Sequence, residues 1–444
     1  MHGSRILLSV LLLTVFSFSK SHAQNKSVEE FVEWEVESNA VSTKEAETIQ
    51  VEHFEIPLSE VEKDLAPYLP PEVSDALVFE KNGKQFVRWL INPDDSKWHL
   101  EMAKYLESKG LDSTHYKYFT GNRTASRSVI LTDPRTKYSF SVKASTNSTG
   151  GHWTDKRQEF DDSFDIRFMN DFINQMNKVK KLDDVVTFLE PAAFGIRSVN
   201  QGIVVRLIDQ MASGKKYYLP GFSALHSEEG ARIAKLNGSD DPGQFWNEHY
   251  MKPLGKALAQ LTAIVGIQYD SPHSQNFLIE LDDKLKPTGK IALRDFGDIY
   301  VQEEFFKLMK RDDIIKRFAT SHNTVKGHLG ATVGPLHGNE PPNWMSSRLY
   351  GDWLRTFFTS FEQELSKITN VPLEKMAAVP GPATATYSYG TKDYPMFAEL
   401  MLHYKRLSEA AFNEDVDSIK VAAPIFSAKA ASANSCRAAF GASN

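Results

Sequence analysis

"HSQNFLIELDDKLKPTGKIALRDFGD", residues 273–298, sets an imidazole, an amide and two carboxylates around what reads as a β-hairpin. Two apolar runs flank "DDKLKPTG", a cluster of turn residues, and that arrangement predicts two paired strands. Asn276 closes the turn into the first strand, and Asp295 stands at the end of the second. In a hairpin such positions can lie side by side. An amide oxygen beside a carboxylate is a pair of hard oxygen ligands of the kind Mg²⁺ accepts, with phosphate and water filling the remaining positions. His273, three residues before Asn276, is within reach of a phosphate or a substrate carboxylate. Arg294 points to the opposite face from Asp295 on a regular strand, which predicts a packing or ion-pair role for it.

A polyphosphate also needs cations and hydroxyl donors. The upstream strands offer Ser126, Arg127 and Ser128 in "TASRSV", Lys143 in "FSVKAS", and Lys156 and Arg157 in "HWTDKRQEF". A lysine in the middle of an apolar strand is costly to bury unpaired, so Lys143 is expected to face a ligand or a carboxylate. "STNSTGG", 145–151, lacks the spacing of a phosphate-binding loop and reads as a turn.

The rest of the chain alternates short strands with amphipathic helices. "ALVFEKNGKQFVRWLI" carries Asn-Gly between apolar runs, the strongest short-range hairpin signal. "SKWHLEMAKYLESKG" has a serine cap, apolar residues three and four apart and a terminal glycine, which predicts a helix. "SVILTD", "YSFSVKAS" and "GIVVRLID" read as strands, and "DSFDIRFMNDFINQMNKV" as a helix. "QFWNEHYMKPLGKALAQLTAIVGI" is the clearest helix, with Pro253 marking either a kink or a later start. Beyond residue 303 the pattern is mostly helical, and Trp353, Phe357 and Phe361 at spacing four form a core stripe.

Bulk properties narrow the function. Residues 1–23 place Arg5 before an apolar run from Ile6 to Phe18 and end on small residues. That is the order of a secretory signal peptide, and the run is too short to span a bilayer. The protein is therefore expected to be exported to the periplasm or beyond, with no stable membrane span after signal removal. Loss of Arg5 and Lys20 with no acids would take the net charge from −6 to −8. Acids and bases are interspersed, and no Lys/Arg block is long enough for a nucleic-acid tract. Cys436 is the single cysteine, so an intrachain disulfide is impossible. No helical His-Glu-x-x-His and no Gly-x-Ser-x-Gly pattern is present, so zinc-protease and α/β-hydrolase chemistry have no support.

"ASRSV … FSVKAS … DKR … GIQYDSPHSQNFLIELDD … GKIALRDFGD" resembles the ATP-binding half of the NRPS-independent siderophore synthetases of the IucA/IucC type, over residues 120–300. The resemblance implies that Ser126, Arg127, Ser128, Lys143 and Lys156 or Arg157 contact ATP phosphates, with Ser128 where the family usually has Thr. It further implies that His273 lies at the phosphate–carboxylate junction and that Asn276 and Asp295 hold Mg²⁺. Protein kinases hold their metal ions with an Asn and an Asp in the same manner. Family members activate a carboxylate such as citrate as its acyl-adenylate before an amine or hydroxyl attacks, and proximity supplies much of that catalysis. Before residue 120 the family's N-terminal pattern is absent, as is its His-Pro motif. Family members are cytoplasmic, whereas this chain opens with an export signal.

The expected fold is α+β, an antiparallel-sheet palm with a kinase-like ATP-site layout, a small N-terminal α/β lobe and a C-terminal helical region. The expected divisions are signal peptide 1–23, mobile leader 24–53, lobe 54–120, palm 121–302, helical region 303–420 and loose tail 421–444. The expected function is an exported protein with an ATP- and Mg²⁺-binding core, ligase-like or phosphotransferase-like, acting on a small carboxylate. Two alternatives stand beside it. One is an inactive descendant that binds an anionic small molecule or a protein partner, and the other is a kinase-like effector working in another cell, where ATP is available.

Overall fold

The computed structural model describes residues 26–39, 44–149, 155–212, 214–269, 274–297, 299–319, 324–325, 329–332, 341–373, 379–380 and 386–389. The signal peptide, the tail with Cys436, and His273 lie outside the described residues.

The chain is α+β, and its frame is a nine-stranded antiparallel sheet. Ten strands come first in sequence: β1 (Thr48–Pro57), β2 (Glu62–Leu65), β3 (Val78–Lys81), β4 (Lys84–Leu90), β5 (Tyr116–Arg123), β6 (Ser128–Thr132), β7 (Ser139–Lys143), β8 (Val185–Thr187), β9 (Ala192–Ile196) and β10 (Gln201–Leu207). All but β8 join the large sheet, in the order β2-β9-β10-β7-β6-β5-β1-β4-β3. The division expected at residue 120 therefore falls inside β5, and the strands on either side of it share one sheet. At the β3–β4 turn, Asn82 and Gly83 both have positive φ, 54° and 72°. That is the backbone a two-residue hairpin requires, and Asn-Gly supplies it cheaply.

The two faces of the sheet have different work. In β6 and β7, Val129, Leu131, Phe140 and Val142 point to a core shared with Phe54, Val87, Phe119 and Val205. The helices Pro71–Leu77 and Trp98–Ser108 cover that core with Val73, Leu77, Met102 and Leu106. The second helix is not capped by a serine. Asp95 takes that role, its carboxylate accepting the N–H groups of Lys97, Trp98 and His99. Side chains alternate along a strand, so Ser128, Ile130, Ser141 and Lys143 face the other way. Ser128 pairs with Lys143, and Ser141 with both Ile130 and Arg206.

A second sheet lies on that other face. It contains β11 (Tyr217–Pro220), β13 (Phe277–Leu281), β14 (Pro287–Leu293) and β8, while β12 (Ile267–Tyr269) pairs with β15 (Ile299–Gln302) elsewhere. The hairpin expected over 273–298 is β13–β14, with Phe277 opposite Leu293. Behind it stand the long helical rod from Pro242 to Val265 and the helix Ser347–Thr369. The rod runs through π-helical turns at Asn247–Met251 and Leu261–Val265, and Pro253 sits in the first turn of the α-helix Lys252–Gln260. Trp353, Phe357 and Phe361 are fully buried against it, as their spacing predicts. Among the described residues no helix is long and apolar enough to cross a membrane.

Over residues 26–39 and 44–53 the structure overturns the reading of a mobile leader. Residues 26–36 are helical, and β1 begins at Thr48 and lies inside the large sheet between β5 and β4. Phe31, Val32 and Val36 enter a cluster with Ile130, Tyr218, Leu278 and Ala292 that cements the two sheets together. Trp34 is 2 % exposed and belongs to the helical core, and its indole N–H donates to Glu229.

Candidate functional site

The candidate site forms where the two sheets meet. Lys143 ends β7 on the face toward β13 and β14. Its Nζ donates to Oδ1 of Asp295 at 2.5 Å. The lysine side chain is 6 % exposed, whereas that of Asp295 keeps 20 % of its surface in solvent. The expectation that Lys143 faces a carboxylate is met by the residue that the hairpin reading singled out.

Asp295 lies two residues beyond the end of β14, with φ of +66°. A non-glycine residue in the left-handed region costs of order 1 kcal/mol, so neighbouring contacts must hold it there. Asn276 is buried at the head of β13, in the short turn Ser274–Asn276. The N–H of Arg294 donates to the Asn276 carbonyl at 3.3 Å, which sets Asn276 one ladder position from Asp295.

The surroundings are strongly cationic. Burial by itself would raise the Asp295 carboxyl, but Lys143, Arg127 and Arg206 together hold it well below the usual carboxylate range. Behind this pair Arg206 on β10 donates twice to one oxygen of Glu190, from Nη2 at 2.6 Å and from Nε at 3.0 Å. Glu190 is fully buried. Burial pushes its carboxyl up, and the nearby Asp295 charge adds to that against the pull of Arg206 and Lys143. Two carboxylates thus face three cations, which leaves a net positive wall suited to an anion.

The other sequence candidates divide. Ser126 and Arg127 lie on the half-buried turn between β5 and β6, and Ser128 opens β6. The Ser126 carbonyl accepts from Lys44 at 2.8 Å, and Arg127 reaches the Arg157 carbonyl at 2.8 Å. Lys156 is joined to Thr146 by a backbone bridge in both directions. The Arg157 guanidinium stacks on Trp98 at 4.2 Å and pairs with Glu101 at 3.2 Å. That geometry holds Arg157 to the Trp98–Ser108 helix. Lys143, Arg127 and Asp295 lie together, and the Asn276 backbone is one ladder position from Asp295.

The donor set has a clear chemical preference. Among the described residues no group of three or more His, Cys, Asp or Glu side chains comes together to hold a metal. One carboxylate and one amide beside cationic side chains instead fit Mg²⁺, which takes one or two protein oxygens and fills its octahedron with phosphate and water.

No protein-family model and no curated protein matches the sequence. Among solved structures, aerobactin synthetase IucC from a hypervirulent pathotype of Klebsiella pneumoniae superposes over 72% of this chain, with TM-score 0.51 and 13% identity. The fold is similar to that of aerobactin synthetase IucC. The match covers 62% of IucC. Two further solved structures match at lower similarity. ATP-bound IucA from the same pathotype covers 77% of this chain and 69% of its own, with TM-score 0.46 and 12% identity. The petrobactin biosynthesis protein AsbB from Bacillus anthracis covers 81% and 70%, also with TM-score 0.46 and 12% identity. At these identities the likeness is one of fold, and the roles of side chains within this aerobactin-synthetase frame rest on the geometry above.

Sequence reasoning missed Arg206, Glu190, Glu35 and Lys44. Arg206 carries the signal that picked out Lys143, a cation inside the apolar run "GIVVRL". Glu190, in the connection between β8 and β9, has no local signal, because its partner lies sixteen residues away on β10.

Proposed function

We propose that the chain binds a Mg²⁺–nucleotide between its two sheets and uses it to activate a small carboxylate for condensation, in a ligase-like manner. The single observation that carries this reading is the Lys143–Asp295 contact, with Arg127 and Arg206 beside it and Asn276 one ladder position away. Asp295 and Asn276 would hold the metal, while Arg127 and Lys143 would hold phosphate oxygens. When bound, ATP supplies the activating group and Mg²⁺ neutralises phosphate charge. The protein's part is to fix the acceptor carboxylate against the nucleotide and exclude water, which is worth several orders of magnitude in rate. Export, as the order of residues 1–23 leads one to expect, would place this action outside the cytoplasm, and delivery into another cell would reconcile it with a supply of ATP.

Titration calorimetry of the mature protein with Mg²⁺ and a nonhydrolysable ATP analogue tests the reading. Saturable binding, lost in Asp295→Asn with the fold retained, is the expected result. No binding by the wild-type protein overturns it.

One observation favours a second reading, an anion-binding protein without turnover. Arg157 is stacked and paired away from the cationic wall, so that wall lacks a cation an ATP-using site would employ. Thermal stabilisation by a tricarboxylate, with no response to Mg²⁺–nucleotide, would establish this reading in place of the first.

A further inference from the structure

Glu35 on the 26–36 helix is fully buried and far in sequence from every residue of the site, yet its carboxylate touches two of the site's flanks. Oε1 pairs with Arg294 Nη2 at 2.5 Å, and Oε2 accepts the N–H of Ala125 at 3.1 Å. Arg294 in turn donates through Nε to the Gln275 carbonyl at 3.0 Å. Ala125 immediately precedes Ser126, Arg127 and Ser128. Gln275 precedes Asn276, and Arg294 precedes Asp295. One buried acid therefore holds two of these preceding residues directly, Ala125 and Arg294, and the third, Gln275, through Arg294.

We infer that Glu35 is a positioning residue that sets the cationic turn and the Asn276–Asp295 pair at a fixed separation. Arg294 can reach Gln275 and Glu35 together because its guanidinium is a rigid planar fork, which a lysine lacks. Asp295 needs such support, since its left-handed backbone is costly and Arg294 is its immediate neighbour. The helix is itself anchored away from the site. Ser27 donates to the Lys216 carbonyl at 2.7 Å, Trp34 donates to Glu229 at 2.7 Å, and the Trp34 carbonyl accepts from Ser223 at 2.9 Å. Lys44, just after the helix, grips the same turn from outside through the Thr124 and Ser126 carbonyls, at 3.0 Å and 2.8 Å, and is paired with Asp94 at 2.9 Å.

The proposal deepens the Mg²⁺–nucleotide reading and rests on it only for its binding measurement. Two variants separate the roles. Glu35→Gln keeps an acceptor for Ala125 and removes the charge that orients Arg294, while Arg294→Lys keeps the charge and removes the Nε donor to Gln275. Amide hydrogen exchange is compared with a control variant, Val73→Ala, matched for loss of global stability but packed on the far face of the large sheet. Exchange should rise locally at 124–128, 274–277 and 294–297 in both site variants and not in the control. Affinity for the Mg²⁺–nucleotide analogue should fall by about tenfold or more, the usual effect of removing a residue that orients ligating groups. If Glu35→Gln does not fold, Arg294→Lys carries both readouts. Unchanged local exchange overturns the positioning role whether or not the nucleotide binds, as does unchanged affinity in a variant of a wild type that binds. Local loosening in a protein whose wild type binds no nucleotide upholds the positioning role and sinks only the nucleotide reading.

Discussion

Nζ of Lys143 and Oδ1 of Asp295 sit 2.5 Å apart, joining the large sheet to the hairpin across 152 residues of sequence. Each is the other's charge partner in a place where the lysine is almost wholly removed from water. Asp295→Asn should cost about 3–5 kcal/mol, because it leaves the buried Lys143 charge poorly compensated, and Lys143→Met should cost less, because Arg127 and Arg206 remain beside Asp295. The double variant should recover about 1–3 kcal/mol of their sum. Denaturant unfolding of the four proteins measures this, and additive costs would show that the pair is not coupled.

Stability should fall in mild acid because of His53. The residue is 1 % exposed, and among the described residues neither ring nitrogen has a hydrogen-bond partner. Burial, with Arg88 nearby, lowers its pKa from 6.5 to about 4. The unfolded chain then binds the proton more readily, so the contribution is fully present above about pH 6.5 and is lost as pH falls toward 4. The limit is about 3 kcal/mol. His53→Leu should flatten the urea-unfolding profile between pH 6.5 and 4, and a variant with the wild-type slope would assign the acid limb to other groups.

Gly266 and Gly289 both have positive φ, 75° and 86°, and differ in what surrounds them. A Cβ at Gly266 would lie 2.3 Å from the Phe305 ring, whereas one at Gly289 meets nothing within 4 Å. Gly266→Ala should therefore cost about 3 kcal/mol, strain and overpacking together. Gly289→Ala should cost about 1 kcal/mol. Thermal unfolding of the two variants checks the difference, and equal shifts would refute it.

Trp34 distinguishes an integral first helix from a leader. Trp34→Ala should destabilise the protein by about 3–5 kcal/mol, the range for emptying a buried aromatic site. A change below about 0.5 kcal/mol, the size of a surface substitution, would mean that the helix contributes little to the core.

Where sequence reading succeeded, the deciding information was local. The Asn-Gly hairpin, the β13–β14 hairpin and the Trp353, Phe357 and Phe361 stripe each follow from periodicity and turn chemistry within a few residues. The first helix carries a local signal of the same kind. Val28, Phe31, Val32 and Val36 recur at spacings of three and four, hidden among the glutamates of "SVEEFVEWEVE". Arg157 shows the limit from the other side. Its place in a motif gave it a phosphate, but the nearby Trp98 ring and Glu101 hold it.

By itself the sequence determined that this is an α+β protein with an antiparallel palm, and it named a lysine, an amide and a carboxylate as the residues to watch. Their types and local patterns depend on neighbours a few positions away. Only the tertiary structure decided that Lys143 meets Asp295, that Arg206 and Glu190 stand behind them, and that Glu35 ties the turn to the hairpin. Those pairings join segments up to 259 residues apart, and no local spacing encodes which buried charge will neutralise which until two sheets are packed face to face.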